Sequence, residues 1–486
     1  MKITLATPLA LHTLAAMAGG ELFLYGTSEQ AAVTHICTDS READGKTLFC
    51  AIRGERVDGH SYMGKAAELG GIAFLCERIP DPLPSPACAF IVVKDTVKAL
   101  SALALSRREG EMRSLPAVAI TGSVGKTTAK EMVAAVLSAG KSVFKKDGNF
   151  NSTIGLPLSF MEIPADIECA VLEMGMSSRG EIAAMTQAVR PNIALITNIG
   201  SSHLEYLGTR ENIARAKLEV ARGLCEGGTL LINGDEPLLA GLGQDFTEDR
   251  PIIPEGIRVL RLSLAGAENA DYQASNITFR DGGMVFDLTT PDGVWRGLYI
   301  PAVGQHFIWA GGFAAAVGQL MGLHEGQVRE GLASYRPAAM RQNIRRIGGI
   351  TVMEDCYNAA PESMKAALSA LSLIAGSHRR VAVLGDMKEL GEDTVALHRS
   401  VGEFAAEGGL DLLITVGELG AEIAAGAKEA GMNPDTIRIT GGKDTYEATA
   451  TYLKSILREG DHVLFKASRS MALETVVEAL TAGLNT

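Results

Sequence analysis

No stretch of this sequence is apolar over the length needed to span a bilayer. Basic runs are missing as well. Lysine and arginine number 45 against 57 aspartate and glutamate, for a net charge of −12. That balance leaves no electrostatic footprint for nucleic acid or for an anionic membrane surface, although an anionic small substrate can still meet local cations. The seven cysteines, Cys37, Cys50, Cys76, Cys88, Cys169, Cys225 and Cys356, form no C-x-x-C pair. Odd in number and scattered, they argue against a disulfide framework and for free, mostly buried thiols in a reducing compartment. A secretory leader is not legible either. The segment Met1 to His12 carries one charge, and Pro8, His12 and Thr13 break its apolar run. It reads instead as an amphipathic helix starting at Pro8 and stopping at Gly19-Gly20. Internal repeats and low-complexity segments are absent too. The expectation is a soluble, cytoplasmic protein acting as a monomer, with no nucleic-acid and no membrane partner.

What is present is core-forming material. Hydrophobic residues make up 47% and charged residues 21% of 486 residues, a length that suggests about three domains. Residues 1–112 hold short strands such as Thr47–Ile52 and Ile72–Leu75, and the charged stretch Arg107–Arg113 reads as a linker. Residues 113–337 alternate strands (Ala117–Thr121, Cys169–Glu173, Ile193–Asn198, Thr229–Asn233) with helices (Lys126–Ala139, Glu181–Val189, Asn212–Leu224). Continuous apolar strands alternating with helices predict a parallel sheet covered on both faces. Residues 257–301 read as an antiparallel addition, and a helix follows His306. Residues 338–486 repeat the alternation, with strands at Ile350–Asp355, Val381–Leu384, Leu412–Val416, Ile437–Ile439 and Val463–Lys466. The fold class is therefore α/β in three domains, the last of them a second doubly wound, Rossmann-like unit.

The richest chemistry lies in Ala117-Val-Ala-Ile-Thr-Gly-Ser-Val-Gly-Lys-Thr-Thr128. An apolar strand runs into a glycine-marked loop and then a helix start. Backbone N–H groups of Gly122, Ser123, Val124, Gly125, Lys126, Thr127 and Thr128 can cradle phosphates. Lys126 can reach the terminal phosphates, and the Thr127 hydroxyl can hold Mg²⁺. The general pattern wants glycine where this chain has Ile120, so the loop is a Gly-x-x-Gly-Lys-Thr variant. ATP is the expected nucleotide. Ligands bind beyond the carboxyl ends of strands in such sheets, which draws attention to Glu173 and to His203 after Asn198. A carboxylate and an imidazole there can hold a hard cation bridging phosphates. Lys217, by spacing alone, reads as a surface lysine. The loop Asp147–Pro157, carrying Asn149 and Asn151, reads as a polar loop after the first helix.

Together Thr121-Gly-Ser-Val-Gly-Lys-Thr127, Glu173-Met-Gly175, Asn198-Ile-Gly-x-x-His-Leu-Glu205 and Ala216-Lys217 resemble the Mur ligase family of ATP-dependent amide-bond-forming enzymes. Three stretches of the last region resemble the branch of that family that adds D-alanyl-D-alanine. They are Asp355–Met364, Leu384–Glu392 with His398, and Lys466–Met471. Thr38-Asp-Ser-Arg41 and Gly54-x-x-x-Asp-Gly-His60 resemble the family's uridine-diphosphate-binding domain. The resemblance implies two further substrates, UDP-N-acetylmuramoyl-tripeptide and D-alanyl-D-alanine. It implies that Thr38, Asp39, Ser40, Arg41, Asn149, Asn151, Ser177, Lys466 and Ser468 contact substrate. Arg341, Asp355 and Asn358 would meet the nucleotide. Lys217 would be carbamylated and, together with Glu173 and His203, would hold a second Mg²⁺ besides the one at Thr127. Lys126, Lys217, His203 and Glu173 would carry catalysis.

The chain departs from the family at Ala310, where an asparagine usually contacts adenine, and at Ser152, Ala360 and Ala467. Three other readings stay open at this point. One is a different amide ligase on the same scaffold, such as a folylpolyglutamate synthase. The others are a nucleotide-dependent switch and a non-catalytic paralogue.

Overall fold

The computed structural model describes residues 1–54, 56–240 and 253–482. Glu55, inside the Gly54–His60 segment, and the last four residues of the 338–486 region lie outside the described residues. Three sheets organise the described chain, of six, nine and six strands.

In the first sheet, Ala32–Cys37, Thr47–Cys50, Ala73–Cys76 and Cys88–Val92 run parallel. Antiparallel edge strands Lys2–Ala10 and Glu21–Tyr25 flank them. The chain start is thus a strand, not a helix from Pro8. The helix begins only at Leu11 and ends at Ala18, capped by left-handed Gly19. Pro8 is tolerated because its strand lies at the sheet edge and pairs irregularly between Thr4 and Leu9.

The stretch Arg107–Arg113 is not a linker. Arg107 and Arg108 end the helix Thr96–Glu109 and are buried. Arg107 donates to the Phe160 and Ile163 carbonyls, the former at 2.8 Å. Arg108 donates to Met112 and Leu115 carbonyls at 2.6 Å and to Arg190 at 2.9 Å. The first and second regions also share core. Leu158 and Met161 pack among Leu100, Leu103 and Ile91 of the first.

The nine-stranded sheet sets up the chemistry. Ala117–Thr121 lies in its interior, between Ile193–Ile196 and Cys169–Glu173, all parallel. Thr121 pairs with Ile196, and Ile120 with Glu173. Carboxyl ends in register put the phosphate loop, Glu173 and Thr197 side by side. The late strands are a continuation of this sheet. Arg258–Ser263 and the start of Tyr272–Arg280 add in parallel, and only Gly283–Thr290 and Gly293–Ile300 are antiparallel. Apolar cores cover both faces, one around Met132, Val136 and Phe313, the other around Leu156, Met185 and Ile213.

The third sheet orders Asn343–Ile347, Ile350–Glu354, His462–Lys466, Arg380–Gly385, Leu412–Val416 and Ile437–Thr440. Only its first pair is antiparallel. All seven cysteines are free, and six of them are buried.

Candidate active site

A cavity of about 780 Å³ opens between the phosphate loop and the third region. Its shape depends on two glycines. A Cβ on Gly122 would fall 1.8 Å from Thr197 Oγ1, and its φ is +149°, so only glycine lets the loop pass there. Gly125, at φ +78°, turns the chain into the helix Lys126–Ser138. The loop is then pinned from the neighbouring strand end. Thr197 donates to the Val124 carbonyl at 2.6 Å, and Asn198 Oδ1 accepts from the Val124 N–H at 3.1 Å. Ser123 Oγ is left buried and unpartnered. A glycine-made cradle with an orphaned hydroxyl suits a phosphate.

Lys126 is half-buried rather than exposed, and folds back onto the Gly122 and Ser123 carbonyls at 2.8 and 3.2 Å. Burial lowers its pKa; Glu173 and Glu389 pull it up again and Arg341 pushes it down. Its ammonium therefore sits within electrostatic reach of all three.

Thr127 is the hub. Its hydroxyl donates to Glu173 Oε2 at 2.9 Å and accepts from Arg341 at 3.0 Å. Glu173 Oε1 accepts from Asn151 Nδ2 at 2.9 Å, and buried Lys130 stands 3.9 Å from Oε2. Arg341 is presented by a strained turn, because Met340 and Gln342 on either side take φ of 57° and 51°. Gln342 pins that turn. Its side chain accepts from the Val303 N–H at 3.2 Å and donates to the Val303 carbonyl at 2.6 Å. The Arg341 guanidinium lies 4.2 Å over the Tyr357 ring, whose hydroxyl bonds Asn149. Lys466 donates to Asp355 Oδ2 at 2.6 Å and to the Asn358 carbonyl at 3.0 Å. Glu362 closes the same seam by accepting from the Ser201 N–H and hydroxyl, both at 3.0 Å.

The structure thus gathers Ser123 to Thr128, Asn149, Asn151, Glu173, Arg341, Asp355, Asn358 and Lys466 around one cavity. Gln305, His306, Phe307, Trp309, Ala310 and Phe313 form a wall beside them. Burial pushes the His306 pKa down to about 4.

Other expected site residues stand apart. His203 is not at the strand end, which is Ile196, but begins a short helix at φ 67°. Its Nδ1 lies 2.9 Å from Glu389 Oε2. The Glu389 carboxyl is held below its usual pKa, first by His203 and also by Lys126. Lys217 is not on the surface. It is 1% exposed, on the helix Arg210–Leu218 that gives way to a 3₁₀ turn at Glu219. Burial, then the Lys126 charge, drives its pKa well down. Neither residue lines the cavity. Ser177 sits in an exposed loop, its N–H donating to Glu181 at 3.0 Å. Ser468 is buried and accepts from the Lys388 N–H. In Thr38 to Arg41, Ser40 is buried, and Arg41 forks onto Asp39 at 2.6 Å, pulling that carboxyl down to about 2.

Among the described residues, no group of three or more His, Cys, Asp or Glu side chains converges as a ready metal cage. Mg²⁺ does not require one, since it is commonly held by one or two carboxylates plus substrate phosphates. The adjacent oxygens of Thr127 and Glu173 are a donor set of that kind. Sequence reasoning missed Glu389, Glu362 and Lys130. The first two matter through contacts between regions, and Lys130 shows only helix spacing.

Comparison with known proteins places the chain in a family. Residues 32–108 match the Mur ligase family catalytic domain, residues 120–317 the Mur ligase middle domain, and residues 340–469 the Mur ligase glutamate ligase domain. The chain is 38% identical over 454 residues to the UDP-N-acetylmuramoyl-tripeptide–D-alanyl-D-alanine ligase of Bacillus subtilis, covering 93% of this chain and 94% of that one. A crystal structure of MurF from Acinetobacter baumannii superposes with a TM-score of 0.85 at 28% identity, over 99% of this chain and 100% of that one. MurF ligase from Thermotoga maritima, in complex with ADP, superposes with a TM-score of 0.79 at 29% identity, over 92% and 97%. The chain belongs to the Mur ligase family.

Proposed function

We infer that the chain is an ADP-forming ligase that joins D-alanyl-D-alanine to UDP-N-acetylmuramoyl-tripeptide, giving the pentapeptide precursor of peptidoglycan. The observation that carries this reading is the Thr127 hub. A phosphate-loop hydroxyl, a carboxylate and an arginine from another region meet at one point beside a nucleotide-sized cavity. A relative 38% identical carries the corresponding name.

A carboxylate and an amine do not condense in water without activation. ATP would phosphorylate the terminal carboxylate of the tripeptide, and the D-alanyl-D-alanine amine would displace phosphate from the acyl phosphate. The protein's part is positioning and charge neutralisation. Gly122 to Thr128 would cradle the phosphates, with Lys126 and Arg341 facing the transferred group. Mg²⁺ held by Thr127 and Glu173 would supply charge neutralisation on the phosphates, and Glu173, His203 and the carbamate of Lys217 would hold a second Mg²⁺. Lys217 suits that modification. It is buried, and the charge of Lys126 favours the uncharged amine that reacts with CO₂. Residues 1–112 would hold the UDP end through Thr38, Asp39, Ser40 and Arg41. Residues 113–337 would hold ATP, and residues 338–486 would bring D-alanyl-D-alanine, with Lys466 and Ser468 on that side. Asn149, Asn151 and Ser177 would meet the growing peptide.

The test is direct. Protein, ATP, Mg²⁺, D-alanyl-D-alanine and the UDP-sugar tripeptide are incubated and analysed by mass. UDP-sugar pentapeptide with equimolar ADP is the expected product. Turnover on a folate and glutamate instead would replace this reading with a folylpolyglutamate synthase activity.

A further inference from the structure

Tyr357 meets the rest of the site at three separate points. Its N–H donates to the Met340 carbonyl at 3.2 Å, on the turn that carries Arg341. Its ring lies under the Arg341 guanidinium, whose central carbon is 4.2 Å from the ring centroid. Its hydroxyl donates to Asn149 Oδ1, in the loop that follows the strand Val143–Lys145 of the central sheet. Tyr357 is half-buried and Asn149 is exposed, and both line the cavity with Thr127 and Glu173. The base under Tyr357 is firm. Two residues earlier, the Asp355 N–H donates to the Phe465 carbonyl at 2.9 Å, and the Asp355 carboxylate accepts from Lys466 at 2.6 Å and from the Gln342 N–H at 3.3 Å.

The hydroxyl settles which way the Asn149 amide faces. A phenol can donate and accept, but it donates more readily, because its oxygen lone pair is drawn into the ring. The amide oxygen is thereby engaged, and the Nδ2 group keeps its two donors for a ligand in the cavity. Donors there suit a carboxylate, and the tripeptide's reacting carboxylate is the group that must come up to the phosphate loop. The ring settles a second matter. Stacking on a tyrosine face holds a guanidinium in one plane and so aims its fork of N–H groups. That fork reaches the Thr127 hydroxyl at 3.0 Å.

We propose that Tyr357 is a positioning residue with two duties. Its hydroxyl turns the Asn149 amide toward the carboxylate that accepts the phosphoryl group, and its ring aims Arg341 at the phosphoryl group being transferred. Tyr357 belongs to the third region and Asn149 to the second, so the carboxylate is fully gripped only while those regions are together. The proposal rests on the reading of the chain as the tripeptide ligase, with Asn149 meeting that substrate.

Two substitutions in the full chain separate the duties. Tyr357→Phe keeps the ring and removes the hydroxyl. It should raise KM for UDP-sugar tripeptide about fivefold, the worth of one hydrogen bond, and its effect should fall on that constant rather than on kcat or on KM for ATP. Tyr357→Leu removes the ring as well and should in addition lower kcat about tenfold. In a cycle with Asn149→Ala, Tyr357→Phe should add little, since the bond it breaks is already gone. Tyr357→Phe loses one oxygen only and keeps the test open should Tyr357→Leu fold poorly. A parental KM for the tripeptide in Tyr357→Phe, equal losses of kcat in the two variants, or full additivity with Asn149→Ala overturns the proposal. If Asn149→Ala also leaves that KM unchanged, the reading of Asn149 as a substrate contact has failed. If Asn149→Ala raises it while Tyr357→Phe does not, only the positioning role has. A parent protein that makes no UDP-sugar pentapeptide would remove the proposed function itself.

Discussion

Arg341 donates to the Thr127 hydroxyl at 3.0 Å across 214 residues of sequence. A cation of the third region is thereby delivered to the phosphate loop of the second. Arg341→Ala should lower kcat by about 10²–10³-fold, the usual loss for one aimed charge-stabilising donor. Arg341→Lys should recover little, because a point charge cannot both stack on Tyr357 and reach Thr127. Circular dichroism should stay parental, since removing a partly exposed side chain opens no cavity. Parental turnover in either variant would count against the role.

Lys217→Ala should be nearly inactive, and short carboxylic acids should restore part of the activity by filling the vacant oxygen position. The parent, assayed dilute, should depend on bicarbonate. Burial and then the Lys126 charge lower the Lys217 pKa, which favours the free amine that carbamylation requires. Intact mass under mild conditions should show an added carbon dioxide in the parent and none in the variant. Full turnover by Lys217→Ala would remove the carbamate from the mechanism.

Arg108→Ala should cost about 3 kcal/mol of stability, because it strips partners from three carbonyls in a buried corner. Urea unfolding measures it. A midpoint equal to that of the parent would show that water replaces the guanidinium there.

Ala310 offers the cavity wall a methyl group where relatives of the resembling family usually offer an amide. GTP and ITP should therefore substitute for ATP more readily than in a ligase that has the amide. Comparing kcat/KM for the three nucleotides decides it. A steep preference for ATP would show that the base is read by other groups.

His306 supplies a pH prediction. Its pKa is about 4 folded and near 6.5 in an unfolded chain. Between those values the unfolded chain takes up a proton that the native state refuses. Stability should therefore fall as pH drops from about 6.5 toward 4 and stop falling from this source below it. His306→Gln should flatten that dependence in urea midpoints measured at pH 7 and pH 5. An unchanged slope would assign the acid sensitivity elsewhere.

The strands and helices that the sequence reveals most faithfully are those buried on both faces. Ala117–Thr121, Glu181–Val189 and Leu412–Val416 match residue for residue, because unbroken apolar or strongly periodic segments end at glycine, proline or polar residues. Edges are harder to read. Lys2–Ala10 carries a proline that a central strand could not, and Asn343–Ile347 has adjacent arginines at its centre. Of the site, the phosphate loop and Glu173 come from one sheet whose strand ends the pattern already marks, whereas Asn151 lies in a loop that the sequence marks only as polar. Lys217 shows helical spacing and nothing else. Its burial arises from elements packed over it, and no local signal carries that. Glu389 falls in the Leu384–Glu392 stretch that carries the resemblance, but no local signal pairs it with His203, which belongs to a different region.

The buried arginines at the end of the helix Thr96–Glu109 and the polar seam around Thr127 differ in how water treats them. Parting the first two regions would bare Leu103, Leu158 and Met161 and strand two guanidinium groups. Parting the last two exchanges Arg341–Thr127, Tyr357–Asn149 and Glu362–Ser201 for hydration, at about 1 kcal/mol for each bond. Val303, gripped at its N–H and its carbonyl by Gln342, is seated in the third core. The molecule thus has one seam that solvent cannot enter and one that solvent can mend.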